Sequence, residues 1–183
     1  MRVEGATKEL LRLAEQAPSL PVRALVSFKT RVRPKQALEW SEGHGLKATT
    51  LFHACTTEKN TFRGGYFVVP GESRAEAVAH YSARYRAVLE GHAKVVRQSL
   101  ETPPTQEKGD LVPDQRSVEQ YHVLLQDLSA QLATFEREGI PVYGIEVVGT
   151  PVQIRAFQTR NDQVRLIEPL GKGQPAVPLL PNE

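Results

Sequence analysis

The sequence predicts an α+β fold in which two strand–helix–strand units share one sheet and flank a long pair of helices. Three observations carry that expectation. Residues 140–169, IPVYGIEVVGTPVQIRAFQTRNDQVRLIEP, contain a complete strand–helix–strand unit with its caps and stops. Residues 22–32 alternate apolar and polar side chains at the two-residue period of a strand. Between these stretches lie two segments whose apolar residues recur at alternating three- and four-residue steps, as on a helix with one buried seam.

Taken in order, residues 6–17 form a short amphipathic helix with Leu10, Leu11, Leu13 and Ala14 on one side, broken at Ser19 to Pro21. In the first strand Val22, Ala24, Val26, Phe28 and Val32 share one face, and Arg23, Ser27, Lys29 and Arg31 the other. One face is therefore expected to be buried and the other wet or partnered. Pro34 opens a helix that runs through Trp40 and ends at Gly43 and Gly45. A second strand spans about 48–55, and Arg63 to Val69 is a third, paired with it as a hairpin and closed by Pro70-Gly71.

Ser73 and Glu76 have capping-box spacing and start a long helix reaching about Leu100. Its seam reads Val78, Tyr81, Tyr85, Val88, His92 and Val95. A second long helix starts near Ser117, with Gln120 in capping-box position, and carries Val118, Tyr121, Leu125, Leu128, Leu132 and Phe135 before Gly139 ends it. Two such seams joined by a polar, proline-bearing connection at 102–116 predict an antiparallel helical hairpin. Tyr143, Ile145 and Val147 then alternate with Val142, Gly144 and Val148, apolar on both sides as a central strand requires. Thr150-Pro151-Val152-Gln153 supplies a cap hydroxyl, a first-turn proline and a capping-box partner. Gln163 to Ile167 is the returning strand, with Pro169 as its stop.

The order of elements defines a ferredoxin-like α+β sandwich, with both units in one antiparallel or mixed sheet and an antiparallel helical hairpin inserted in the middle connection. In domain terms, 1–20 is an N-terminal helix and linker, and 21–169 is a single ferredoxin-like domain with the hairpin at 73–139. The remaining residues, 170–183, are a disordered tail, because LGKGQPAVPLLPNE is rich in proline and glycine without periodicity.

Tyr143-Gly144-Ile145-Glu146-Val147, the capped helix and Asn161 to Pro169 resemble the last third of subtilisin-propeptide-type peptidase-inhibitor modules. Arg23 to Phe28 with its helix is similar to their opening strand and helix. A looser resemblance is to the extracytoplasmic domains of bacterial membrane-anchored regulators, including anti-sigma-type proteins. These resemblances imply the small sandwich, a regulatory or inhibitory role, and an extracytoplasmic position slightly ahead of a cytoplasmic one. The long helical insertion departs from the inhibitor pattern, as does the tail.

Composition limits the chemistry. The 183 residues are 40% hydrophobic and 24% charged, and no run approaches the ~20 apolar residues of a membrane-spanning helix. One cysteine, Cys55, excludes an intrachain disulfide. The net charge of +2 conceals an asymmetry. Residues 1–100 hold 16 basic against 9 acidic side chains, and the remainder 7 against 12. The five histidines show no metal-ligand spacing; Glu76 and His80 stand one helical turn apart, the mark of a surface pair. His53 and Cys55 share a strand face but lack a third orienting group, and no serine sits in a Gly-x-Ser-x-Gly elbow. No cofactor and no enzymatic role are expected.

Two binding surfaces are expected instead. The first is a protein contact through the helical hairpin, with Tyr81 and Tyr85, or through the exposed sheet face; the simplest role of these tyrosines is nonetheless in the seam. The second is nucleic-acid binding through Arg23, Lys29, Arg31, Arg33 and Lys35. Tyr66 in Arg63-Gly64-Gly65-Tyr66-Phe67-Val68 partly resembles the base-stacking strand of RNA-recognition motifs, but no matching aromatic stands on the first strand. The leading expectation is thus a non-catalytic interaction or regulatory module with an unknown protein partner, self-association included. Nucleic-acid binding is the alternative, and peptidase inhibition a third.

Overall fold

The computed structural model describes residues 2–56, 61–101 and 115–171. They form five helices and a five-stranded antiparallel sheet: α1 (Arg2–Gln16), β1 (Val22–Val32), α2 (Pro34–Gly43), β2 (Lys47–Thr56), β3 (Thr61–Phe67), α3 (Arg74–Glu101), α4 (Gln115–Glu138), β4 (Val142–Gly149), α5 (Pro151–Arg160) and β5 (Val164–Leu170). The expected connection at 102–116 and the tail at 170–183 lie largely outside the described residues, as does most of the turn after Thr56. Two compact units divide the chain. One comprises residues up to Ala54, Phe62–Tyr81 and those from Ile140 onwards; the other comprises Cys55–Thr61 and Ser82–Gly139.

In the first unit the strands run in the order β3-β2-β4-β1-β5. β1 pairs antiparallel with both β4 and β5, and β4 also pairs antiparallel with β2. β1 and β2 therefore point the same way with β4 between them, and β4 and β5 the same way with β1 between them. Alternation then sorts the side chains. Val26 stands opposite Ile145 and Ile167, and Leu51 opposite Ile145, all fully buried on one face. Helices lie on this face: Trp40 of α2 meets Phe28 edge-on at 5.9 Å, and His44 just after α2 meets Phe157 of α5 at 5.1 Å. Burying the apolar stripe of each helix against this face supplies the main driving force.

Local sequence explains the helix ends. Thr150 and Gln153 form the reciprocal capping box, and Pro151 fills the first turn. Ser73 and Glu76 do the same for α3: the Ser73 amide donates to Glu76 Oε2 at 2.8 Å and the Glu76 amide to Ser73 Oγ at 3.3 Å. After α2, Gly45 takes a φ of +69°, which the tight return to β2 demands.

Five expectations need correction. α1 packs on α5 and β5, so it belongs to the first unit rather than to a separate N-terminal linker. Pro169 lies inside β5, opposite Ala24, instead of ending it; an edge strand tolerates a proline whose missing donor faces outward. Ser117 sits within α4, which begins at Gln115, and is not its cap. The polar face of β1 is wet only at its two ends: Arg23, Lys29 and Arg31 are exposed, while Leu25 and Ser27 between them are fully buried.

The fifth correction concerns α3. Its buried residues are Ala77 and Tyr81 in the first unit, then Tyr85, Leu89, Ala93 and Val96 in the second. Val88, His92 and Val95 of the expected seam are exposed. Repeated steps of four rotate the buried line by about 40° each around the helix, so it leaves the three-and-four seam after Tyr85. On α4 the expected line holds: Leu128 and Phe135 are buried, and Val118, Tyr121, Leu125 and Leu132 half-buried. Tyr85 of α3 and Phe135 of α4 meet at 6.0 Å, with the Arg86 guanidinium 5.6 Å over the Phe135 ring.

Candidate functional site

The edge strand β3 and the turn that leads from it into α3 form the most unusual surface of the first unit. Two glycines shape the strand. A Cβ on Gly64 would stand 2.5 Å from His53 Nε2, and one on Gly65 would stand 3.1 Å from Thr50 Cγ2 and 3.4 Å from the Phe52 ring. Glycine thus lets β2 side chains lie directly against the β3 backbone. The His53 ring packs edge-on against Tyr81 at 5.7 Å, and Tyr66 meets the same tyrosine at 6.2 Å. Tyr81 Oη donates to the carbonyl of Pro141 at 3.3 Å. Burial pushes the His53 imidazole down to about 4, because charging it there would forfeit hydration.

Glu72 fastens the turn. Its side chain is only 5% exposed. Tyr66 Oη donates to Oε1 at 2.9 Å, the Val69 amide donates to Oε2 at 3.0 Å, and His80 Nδ1 contacts Oε1. Burial raises the Glu72 pKa, but the contacts with His80, Val69 and Tyr66 together outweigh it and hold the carboxyl below its usual range. His80 therefore pairs with Glu72 rather than with Glu76, which is committed to the cap of α3. Gly71, at φ +89°, makes the bend.

This fastening presents two apolar side chains outward. Phe67 is 77% exposed and Val69 is 56% exposed, while the alternating Tyr66 and Val68 are half-buried. The Val68 amide donates inward to Thr49 O at 2.9 Å. By strand alternation, the backbone groups of Phe67 and Gly65 face the outer edge of the sheet.

The residues expected to bind partners divide differently. Tyr81 and Tyr85 are buried and serve the interior, not a contact surface. Tyr66 is half-buried and tied to Glu72. Arg23 Nε donates to Glu146 Oε1 at 2.8 Å, and Thr49 Oγ1 donates to the same oxygen at 3.0 Å. That carboxylate raises the Arg23 pKa further, so Arg23 stays charged and its charge is matched by Glu146. Lys29, Arg31, Arg33 and Lys35 are exposed in alternation along the end of β1 and into α2, with Lys35 3.9 Å from Glu39. The five expected cations thus separate into Arg23, held by Glu146, and an exposed stripe of four that includes the Lys35–Glu39 pair.

The sequence reading missed Phe67, Val69 and Glu72. A signal existed for the first two: Tyr66 to Val69 is apolar at every position, yet the strand lies at an edge, where one face normally carries polar groups. Among the described residues no cluster of three or more His, Cys, Asp or Glu side chains could hold a metal ion, and no helix is long and apolar enough to cross a membrane. No family model matches the chain, and neither curated proteins nor solved structures provide a match.

Proposed function

We propose that this protein is a non-catalytic protein-interaction module that takes up an extended segment along β3. The observation that carries the reading is Phe67, exposed at the end of edge strand β3 whose outer backbone groups face away from the sheet, with Val69 exposed just beyond it. Strand addition combines backbone hydrogen bonds with pockets or contacts for alternate side chains, and β3 supplies both. The split arrangement of β1 with β2 and of β4 with β5 supports a ferredoxin-like sandwich extended by β3. The Tyr85–Phe135 contact supports an antiparallel pairing of α3 with α4.

The test is selection from a library of extended peptides. Wild type is expected to retain apolar, alternating sequences that the Phe67→Lys variant does not bind, with the Phe67 amide gaining hydrogen-exchange protection in the complex. Peptides that bind Phe67→Lys equally well would sink the reading. Because Phe67 is exposed, this substitution is expected to shift stability by no more than about 0.5 kcal/mol, so loss of binding would not reflect unfolding.

A second reading is favoured by the cationic stripe Lys29, Arg31, Arg33 and Lys35, which suits a polyanion such as nucleic acid. The peptidase-inhibitor reading rests on topology alone, and fold does not carry function.

A further inference from the structure

We infer that Glu72 ends the open edge of β3 at Phe67 and so fixes the register of the segment that the edge receives. This inference rests on the strand-addition reading above. Along an extended edge strand, outward backbone groups recur at every second residue. The Val68 amide donates inward to Thr49 O at 2.9 Å, so the outward series runs Gly65, Phe67 and then Val69. At Val69 one residue has taken both groups. The Val69 amide donates to Glu72 Oε2 at 3.0 Å, and the Val69 carbonyl accepts from the Glu72 amide at 3.1 Å. Val69-Pro70-Gly71-Glu72 thereby closes as a β-turn. Its proline stands second and its glycine third at φ +89°, the pattern of a type II turn. An incoming strand therefore meets outward backbone groups at Gly65 and Phe67 but finds the Val69 amide occupied.

Glu72 is held from two sides. Its carboxylate also accepts from Tyr66 Oη of β3, at 2.9 and 3.2 Å, and contacts His80 Nδ1 of α3. The side chain is almost fully enclosed, so swinging it aside to free the amide would leave a carboxylate without the donors that compensate its burial. The last backbone pair of the complex is accordingly at Phe67. Val69 adds only an apolar side chain beyond that point, and the two exposed residues have different parts.

Amide hydrogen exchange of the full chain tests this, free and with peptides selected on wild type, after correction for intrinsic rates. In free wild type the Val69 amide should exchange at least about tenfold more slowly than the Phe67 amide, the protection given by a bond to a charged acceptor. Peptide should slow Phe67 and leave Val69 unchanged. In Glu72→Ala, Val69 should exchange as fast as Phe67 when free, and peptide should slow both as the ladder runs on. Glu72→Gln keeps an acceptor oxygen and should retain the slowing at Val69. Both variants remove the charge, so a merely stabilising role for Glu72 would move them together. Val69 exchanging as fast as Phe67 in free wild type overturns the inference, as does a Val69 amide that stays slow in Glu72→Ala. The wild-type comparison needs no variant, so it decides even where Glu72→Ala loses protection throughout. If peptide slows Val69 alongside Phe67 in wild type, the register falls and strand addition stands. If no peptide slows Phe67, strand addition falls and the register with it.

Discussion

His53 shows how position alone gives an ordinary side chain an unusual property. Its ring lies between the backbone at Gly64 and the edge of Tyr81, and burial lowers its pKa to about 4. The unfolded chain holds an imidazole titrating near ~6.5. Between those values the unfolded state binds the extra proton, so stability is complete above pH ~6.5 and is lost as pH falls toward 4. The loss attributable to this residue is at most about 3 kcal/mol. Denaturant titrations between pH 4 and 7 should show wild-type stability falling more steeply on acidification than that of His53→Gln. Parallel curves would show that the ring does not contribute. Glu72 gives a second residue-scale test. Glu72→Gln keeps the shape but removes the charge that draws Tyr66, His80 and the Val69 amide together. A loss of about 1 to 3 kcal/mol in chemical denaturation is expected, since hydrogen bonds to a charged acceptor are worth this much. The same carboxylate was invisible as a site in the sequence, where Glu72 is merely a polar residue after a proline–glycine turn; only folding brings Tyr66 and His80 to it.

At the scale of elements, the capped helices were the most legible features. Thr150-Pro151-Val152-Gln153 encodes the start of α5 within four residues, because the cap uses only local geometry. Thr150→Ala is accordingly expected to cost about 1 kcal/mol in a denaturant titration. The strands with alternating or wholly apolar patterns were equally legible. The long helix α3 was less so. Its apolar residues admit two lines, one through Val88 and Val95 and one through Leu89 and Val96, and periodicity does not choose between them. Packing chose the second, leaving Val88 and Val95 exposed. Phe135 on α4, buried beside Tyr85 and Arg86, is the corresponding anchor of the second unit. Phe135→Ala should destabilise that unit by about 3 to 5 kcal/mol, read as early loss of protection at α3 and α4 amides after Ser82 in hydrogen exchange.

At the scale of the whole molecule, the charge asymmetry resolves into particular places. Arg23 is paired with Glu146, whereas Lys29, Arg31, Arg33 and Lys35 form an exposed stripe. If that stripe binds polyanions, replacing its four cations with glutamine should weaken heparin retention and flatten its salt dependence, while Arg23→Gln should change neither appreciably. Equal effects from Arg23→Gln would remove the stripe's special status. The amino-acid order by itself determined the helix caps, the apolar strands and the α+β class, since each depends on neighbours within a few residues. The tertiary structure alone decided that Pro169 lies within an edge strand and that Arg23 is paired with Glu146. It also decided that Phe67 stands at an open edge, with Val69 just beyond it. Those outcomes depend on which strand lies beside which, and strand order is fixed by side chains far apart in the chain competing for one buried face.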